Sequence, residues 1–240
     1  MATDGRFVWH ELRVPDPAAA ARFYGELLGW SADAVPTGVT FRASGVPVGG
    51  ASDVKPGIPS HWTPFVAVAD VDAVARGAAA AGGIVTSGEP ADVPGVGRLA
   101  PILDPHKAIF AVLHPLTEPV PSREVGAFVW ARLRTPDVGS SARFYEQVIG
   151  WSATLSPEGD AAVFDLADGT RVAEVLPATL EDPFGWLPFV RVGDLEESRD
   201  RAAALGAAVP GALVEVPGGR GRFSIIRDPQ GASIALLEAY

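Results

Sequence analysis

The chain has 240 residues, with 27 glycines, 22 prolines, no cysteine, and a net charge of −10 from 19 basic and 29 acidic side chains. Its 48% hydrophobic content and six tryptophans suffice for a packed core, which excludes wholesale disorder, while so acidic a surface repels phosphate backbones and excludes nucleic acid as an expected partner. The absence of cysteine removes disulfides, thiolate nucleophiles, zinc–thiolate sites and iron–sulfur clusters, and with no visible signal peptide and no apolar run of about 18 residues the expectation is a cytoplasmic protein without a membrane partner.

In chain order, residues 7–14 read as a strand. Asp16 then caps a helix with Pro17 at its first position, and Gly29 ends it. Short strands are expected over 39–43 and 46–52, and another over 65–69. Asp70 caps an alanine-rich helix running to about Ala81, which Gly82-Gly83 breaks. Strands over 99–103 and 109–114 flank the turn Asp104-Pro105.

The pattern then returns. FVWHELRVPD at 7–16 recurs as FVWARLRTPD at 128–137, ARFY at 21–24 recurs at 142–145, and GWSA at 29–32 recurs at 150–153, all at an offset of 121 residues. Pro64-Phe65-Val66 reappears as Pro188-Phe189-Val190, Val93-Pro94-Gly95 as Val216-Pro217-Gly218, and Asp104-Pro105 as Asp228-Pro229. A tandem duplication follows, with domains at 1–115 and 126–240 and a proline-rich polar linker at 116–125. Each half reads as β-α-β-β-β twice, an α+β architecture in which helices cover one face of curved sheets. Such a chain is an internal pseudo-dimer, expected as a monomer or a homodimer.

Strand parity divides the side chains of residues 7–14. Val8, His10, Leu12 and Val14 share a face suited to packing under a helix. Phe7, Trp9, Glu11 and Arg13 share the other, matched in the second half by Phe128, Trp130, Arg132 and Arg134. An indole among charges suits the wall of a polar and aromatic cavity. The competing reading is arginine–carboxylate pairing on a solvated sheet edge.

The paired units, the strand ending L-R-V-x-D, the helix with F-Y-x-x-x-x-G-W and the late turn D-P-x-G together resemble the vicinal oxygen chelate superfamily, which includes glyoxalases, extradiol dioxygenases and bleomycin-resistance proteins. The resemblance covers both halves. It implies metal ligands, usually His, Gln or Glu, on the first and last strands of each unit. Those positions here read as Trp9 and Trp130, Pro64 and Pro188, Ala111 and Ala235, and Ala51 against Glu174. One ligand type is too few for a lasting divalent site, so no metal and no other cofactor is expected. His10 reads as a core imidazole, His61 as part of a loop that roofs a pocket or is plain surface, His106 as solvated and His114 as surface. The loop Gly218-Gly219-Arg220-Gly221 precedes a strand and is no phosphate cradle.

What remains is a metal-free aromatic site. Glu11, Glu174 and Arg132 are the catalytic candidates. Trp9, Arg13, Trp130, Arg134, Phe65, Trp62 and His61 are the substrate-binding candidates, with Phe189 and Trp186 as further flat surface. Flat indoles suit a planar small-molecule ligand, and a carboxylate beside arginines suits an enol or hemiketal. The expected function is metal-independent acid–base dehydration, cyclisation or isomerisation of an oxygenated aromatic or polyketide-like compound. Two alternatives stay open: a drug-sequestering protein without chemistry, and a metal-dependent glyoxalase or dioxygenase.

Overall fold

A computed structural model describes residues 4–118, 120, 122–179, 184–216 and 221–239. Four helices stand among them, and each begins at an aspartate. Asp16, Asp70, Asp137 and Asp194 lie in extended conformation and accept the backbone N–H three residues on, so each satisfies a donor that the helix start leaves without a partner. These caps index a module that occurs four times. The first holds β1 (Phe7–Val14), α1 (Pro17–Leu28), β2 (Ser31–Val35), β3 (Gly38–Ala43) and β4 (Val46–Asp53). The second holds β5 (His61–Ala67), α2 (Val71–Ala80), β6 (Ile84–Val85), β7 (Ala91–Val93), β8 (Gly97–Leu103) and β9 (Ile109–Pro115). The third holds β10 (Phe128–Thr135), α3 (Val138–Ile149), β11 (Ser152–Leu155), β12 (Ala162–Asp165) and β13 (Arg171–Pro177). The fourth holds β14 (Gly185–Arg191), α4 (Leu195–Ala204), β15 (Val214–Glu215), β16 (Gly221–Arg227) and β17 (Ser233–Ala239).

In every module the first strand runs parallel to the last, as a crossover helix requires, and the remaining strands pair antiparallel. Strands β1–β9 belong to one sheet and β10–β17 to another. The α+β class and the two tandem curved-sheet halves expected from the repeat are therefore present. β5 starts at His61, so His61 and Trp62 open a strand rather than a loop. β2 has no counterpart among the expected strands. All five of its residues are exposed, which leaves no hydrophobic alternation to read.

Compact packing assembles two units, each drawing on both sequence halves. One is built around residues 63–120 and 131–186, the other around 9–62 and 187–240. The first unit buries Val66, Ile102, Phe110 and Val112 with Leu133, Phe144, Tyr145 and Phe164. The second buries Leu12, Tyr24, Trp30 and Phe41 with Val190, Leu195, Ile226 and Leu236. Among the described residues no helix is long and apolar enough to cross a membrane.

Candidate functional site

Burial along β1 alternates as parity requires. His10, Leu12 and Val14 are buried under the helix side, whereas Trp9, Glu11 and Arg13 are half-buried on the other. Counting back from the helix caps fixes the equivalent rows. Trp9, Thr63, Trp130 and Leu187 stand seven residues before their caps, and Glu11, Phe65, Arg132 and Phe189 stand five before. The ladders give each member of the second row a partner on the last strand of its module: Gly50 for Glu11, Ala111 for Phe65, Glu174 for Arg132 and Ala235 for Phe189.

Two of the expected equivalences shift by one residue. Thr63 and Leu187, not Pro64 and Pro188, match Trp9, and Gly50, not Ala51, matches Glu174. Pro64 is buried in β5, and Ala51 packs in the second unit's core. A one-residue slip transfers a side chain to the opposite face of a sheet.

Glu11 is held by neutral donors. The Trp9 indole N–H donates to its Oε2 at 3.0 Å, and the Ser52 hydroxyl donates to its Oε1. Space for this comes from Gly50, because a Cβ there would lie 2.8 Å from Glu11 Oε2, 2.9 Å from the Val39 carbonyl oxygen and 3.1 Å from Trp9 Cζ2. In the second half the carboxylate comes from the other strand. Arg132 Nε donates to Glu174 Oε1 at 2.8 Å, and Arg132 Nη2 lies 2.7 Å from the same oxygen. Arg132 is buried and Glu174 half-buried, so this is a charge-assisted pair with limited screening.

Arg13 and Arg134 repeat one task. Each donates to a carbonyl at the end of its fourth strand, Asp53 at 3.5 Å and Pro177 at 3.0 Å. His61 places Nδ1 2.8 Å from the Pro59 carbonyl oxygen. Burial lowers its pKa, the nearby Arg13 charge lowers it further, and the carbonyl opposes both. Trp130 is half-buried and packs against a buried apolar cluster of Leu187, Phe189, Phe223 and Ala235. Phe65 is buried in β5. Within the second unit the structure thus joins Trp9 with Glu11 and Arg13 with His61, and within the first it joins Arg132 with Glu174.

Trp62 and Trp186 serve a network that the sequence analysis did not assign. The Tyr24 hydroxyl donates to Asp228 Oδ2 at 2.9 Å and accepts from Trp62 Nε1 at 3.3 Å. In the first unit Tyr145 donates to Asp104 Oδ2 at 3.2 Å and accepts from Trp186 Nε1 at 2.8 Å. Trp30 and Trp151 stack on the two tyrosines at centroid distances of 5.6 and 5.7 Å. The motif F-Y-x-x-x-x-G-W and the Asp-Pro turn are the two ends of this network, and their recurrence in both halves is the signal for it. Burial raises the pKa of both aspartates, against the lowering effect of the hydrogen bonds they accept.

His10 is buried and stacked on Phe128 at 3.9 Å, and burial lowers its pKa to about 3. The expected core imidazole is therefore neutral. His106 and His114 are half-buried rather than solvated, with His114 Nδ1 3.2 Å from the Val68 carbonyl oxygen. Residues 218–220 of the glycine-rich loop lie outside the described residues.

The last-strand rows bear on a metal as well. They hold Gly50, Ala111, Glu174 and Ala235, and Glu174 is engaged by a guanidinium. Among the described residues no group of three or more His, Asp or Glu side chains is placed to hold a metal ion. These residues do not fit the three or four donors that a divalent centre needs.

Residues 130–237 match the glyoxalase-like domain family. The chain is 44% identical to CFP32 of Mycobacterium tuberculosis (strain CDC 1551 / Oshkosh), which bears a glyoxylase name, over 96% of this chain and 93% of that protein. It is 32% identical to the anthracycline biosynthesis protein DauV of Streptomyces sp. (strain C5), over 98% and 93%. The Mn(II)-bound glyoxalase from Novosphingobium aromaticivorans superposes with a TM-score of 0.69 at 20% identity, over 98% of this chain and 82% of that one, a likeness of fold. The chain belongs to the glyoxalase-like family of the vicinal oxygen chelate superfamily.

Proposed function

We propose that this protein is a metal-independent enzyme that moves a proton on a planar, oxygenated aromatic or polyketide-like substrate, with Glu11 as the general base. The observation that carries the proposal is the Glu11 carboxylate itself, held at both oxygens by an indole and a hydroxyl. Neutral donors orient a carboxylate without the competing charge that a guanidinium brings, so its remaining lone pairs stay available to a substrate proton. The step is simple to balance. Glu11 takes the proton from a carbon beside a carbonyl, the C–H electron pair becomes the enolate double bond, and the carbonyl oxygen takes the charge. The same carboxyl then returns the proton at another carbon, which is isomerisation, or hands it to a hydroxyl on the neighbouring carbon, which leaves as water while the enolate electrons form the new C=C bond, which is dehydration.

The substrate class rests on the rest of the face. Trp9 shares a strand face with Glu11, and Trp130 packs on Phe189 and Phe223. Flat apolar surface of this kind suits fused rings. Kinship with an anthracycline biosynthesis protein points to the same chemistry. Arg13 and His61 would bind the oxygenated end, and Arg132 with Glu174 would serve the second half in the same way.

Sequestration without chemistry has one observation in its favour, the half-buried Trp130 ring resting on a buried apolar cluster. The two readings separate with 2-tetralone as probe, a benzo-fused cyclic ketone with acidic benzylic C–H bonds beside its carbonyl, by following deuterium uptake from heavy water by proton NMR. Wild type is expected to catalyse uptake, and Glu11→Gln to bind the ketone with near-normal Kd but exchange it about 100-fold or more slowly, within the usual share of a general base. Equal binding by both proteins with no exchange by either would establish sequestration instead.

A further inference from the structure

The two halves differ at three positions that meet around one carboxylate. Where β1 has Glu11, β10 has Arg132. Where β4 has Gly50 and Ser52, β13 has Glu174 and Leu176, in the same ladder register. Each difference on the first-half side serves Glu11. Gly50 leaves the space that its Oε2 and the Trp9 ring occupy, and Ser52 supplies the hydroxyl that binds its Oε1. Ser52 is itself buried, so its hydroxyl is not replaced by bulk water when a ligand arrives. A carboxylate needed only to hold strands together would be served by the ion pair that the second half already has. The first half instead removes the cation, clears one neighbour of its side chain and places a hydroxyl at the next inward position.

We infer that Ser52 and Gly50 are positioning residues for Glu11, which makes Trp9–Glu11–Ser52 the working constellation of the chain and leaves the Arg132–Glu174 pair without a proton-transfer role. This rests on Glu11 being the base. Ser52 fixes the rotation of the carboxylate about its last bond, and Gly50 keeps the Trp9 N–H on the opposite oxygen. Two donors on two oxygens orient the remaining lone pairs toward the face that Trp9 and Arg13 share. Neither residue touches the reacting carbon, so their effect falls on the rate of proton transfer and not on ketone binding.

The test uses the full chain and the 2-tetralone exchange reaction, with kcat and KM measured separately. Ser52→Ala is expected to lower kcat about ten- to a hundredfold with KM within about twofold, as for the loss of one hydrogen bond to a charged group. Ser52→Thr, which keeps the hydroxyl, is expected to recover most of that loss. Gly50→Ala approaches from the other side, by displacing the carboxylate, and is expected to lower kcat comparably. Leu176→Ala, at the position equivalent to Ser52, is expected to leave both constants unchanged. Thermal melting of each variant separates misplacement of Glu11 from loss of the fold, and Ser52→Thr keeps the test decisive if Gly50→Ala is unstable. Exchange that Glu11→Gln abolishes but Ser52→Ala leaves intact would overturn the inference while sparing the base. Exchange that survives Glu11→Gln would overturn the base assignment itself.

Discussion

Among single residues, Tyr24, His10, Asp104 and Asp228 each bury a polar group. Tyr24 couples a tryptophan to an aspartate in the core, so Tyr24→Phe strands a buried carboxylate oxygen and an indole N–H together. A cost of about 1–3 kcal/mol is expected from leaving such groups unsatisfied, read as a lower denaturant midpoint at unchanged m-value. An unchanged midpoint would show that water replaces the hydroxyl. His10 makes a distinct prediction about pH. Its folded-state pKa of about 3 lies below the ordinary 6.5, so the unfolded chain takes up the proton first. Its contribution is complete above about 6.5, and falls away as pH drops from there toward 3. His10→Phe, which keeps the stack on Phe128, is expected to flatten the loss of stability across that window in denaturant melts. A slope equal to wild type would place the proton uptake elsewhere. Asp104 and Asp228 work in the opposite sense. Their pKa values are raised by burial, so they weaken the fold increasingly as pH climbs from the ordinary carboxylate value through the raised one.

Caps and turns are the elements that the sequence states most openly. Asp16, Pro17 and Gly29 mark the bounds of α1, and the same signals mark α3 through Asp137 and Gly150, because each residue does a backbone task that few others can. Gly29 and Gly150 sit at φ 70° and 81°, the left-handed region that ends a helix without strain only when no Cβ is present. The turn between β8 and β9 departs from this economy. Lys107 holds φ 74° where the turn between β16 and β17 has Gly231 at φ 97°. Lys107→Gly relieves that conformation and is expected to raise Tm by roughly 2–4 °C, the equivalent of about 1 kcal/mol in a chain of this size. A lower Tm would mean that the added unfolded-state entropy of glycine outweighs the relief. Strand register was less open. The face carrying Trp9, Glu11 and Arg13 follows from alternation alone, but the count that puts Gly50 and Thr63, rather than Ala51 and Pro64, in the matching rows does not. A bulge in the β3–β4 ladder between Phe41 and Arg42 and the unmarked start of β5 leave no local residue that reports the count. The partnership of Glu11 with Ser52 crosses between strands 41 residues apart in sequence, and nothing in either segment alone announces it.

The duplication extends to the whole molecule through reciprocal debts between the halves. Tyr24 from the first half finds its aspartate at 228 in the second, and Tyr145 from the second finds its own at 104 in the first. Each unit's core likewise mixes residues from both halves. Fragments 1–120 and 121–240 made separately are therefore expected to lack a cooperative melt as monomers, and to regain near-ultraviolet circular dichroism on mixing. A sharp monomeric transition in either fragment would show that a half buries its own core. The repeat was legible because whole motifs recur at one offset. The exchange of partners was not, because Tyr24 and Tyr145 carry the same sequence signature whichever aspartate they meet. Across the four modules the symmetry breaks at the row of Glu11, Phe65, Arg132 and Phe189, where only one position presents a carboxylate on neutral donors. That asymmetry is the basis for proposing proton transfer by Glu11 without a metal. The most direct measurement is the rate of deuterium uptake into 2-tetralone by protein stripped with a chelator and verified metal-free, before and after adding manganese, zinc or iron, with Glu11→Gln alongside. An undiminished rate after stripping, no gain from any metal, and a fall of about 100-fold or more in Glu11→Gln are expected. Exchange that disappears on stripping and returns with a stoichiometric metal would contradict the proposal.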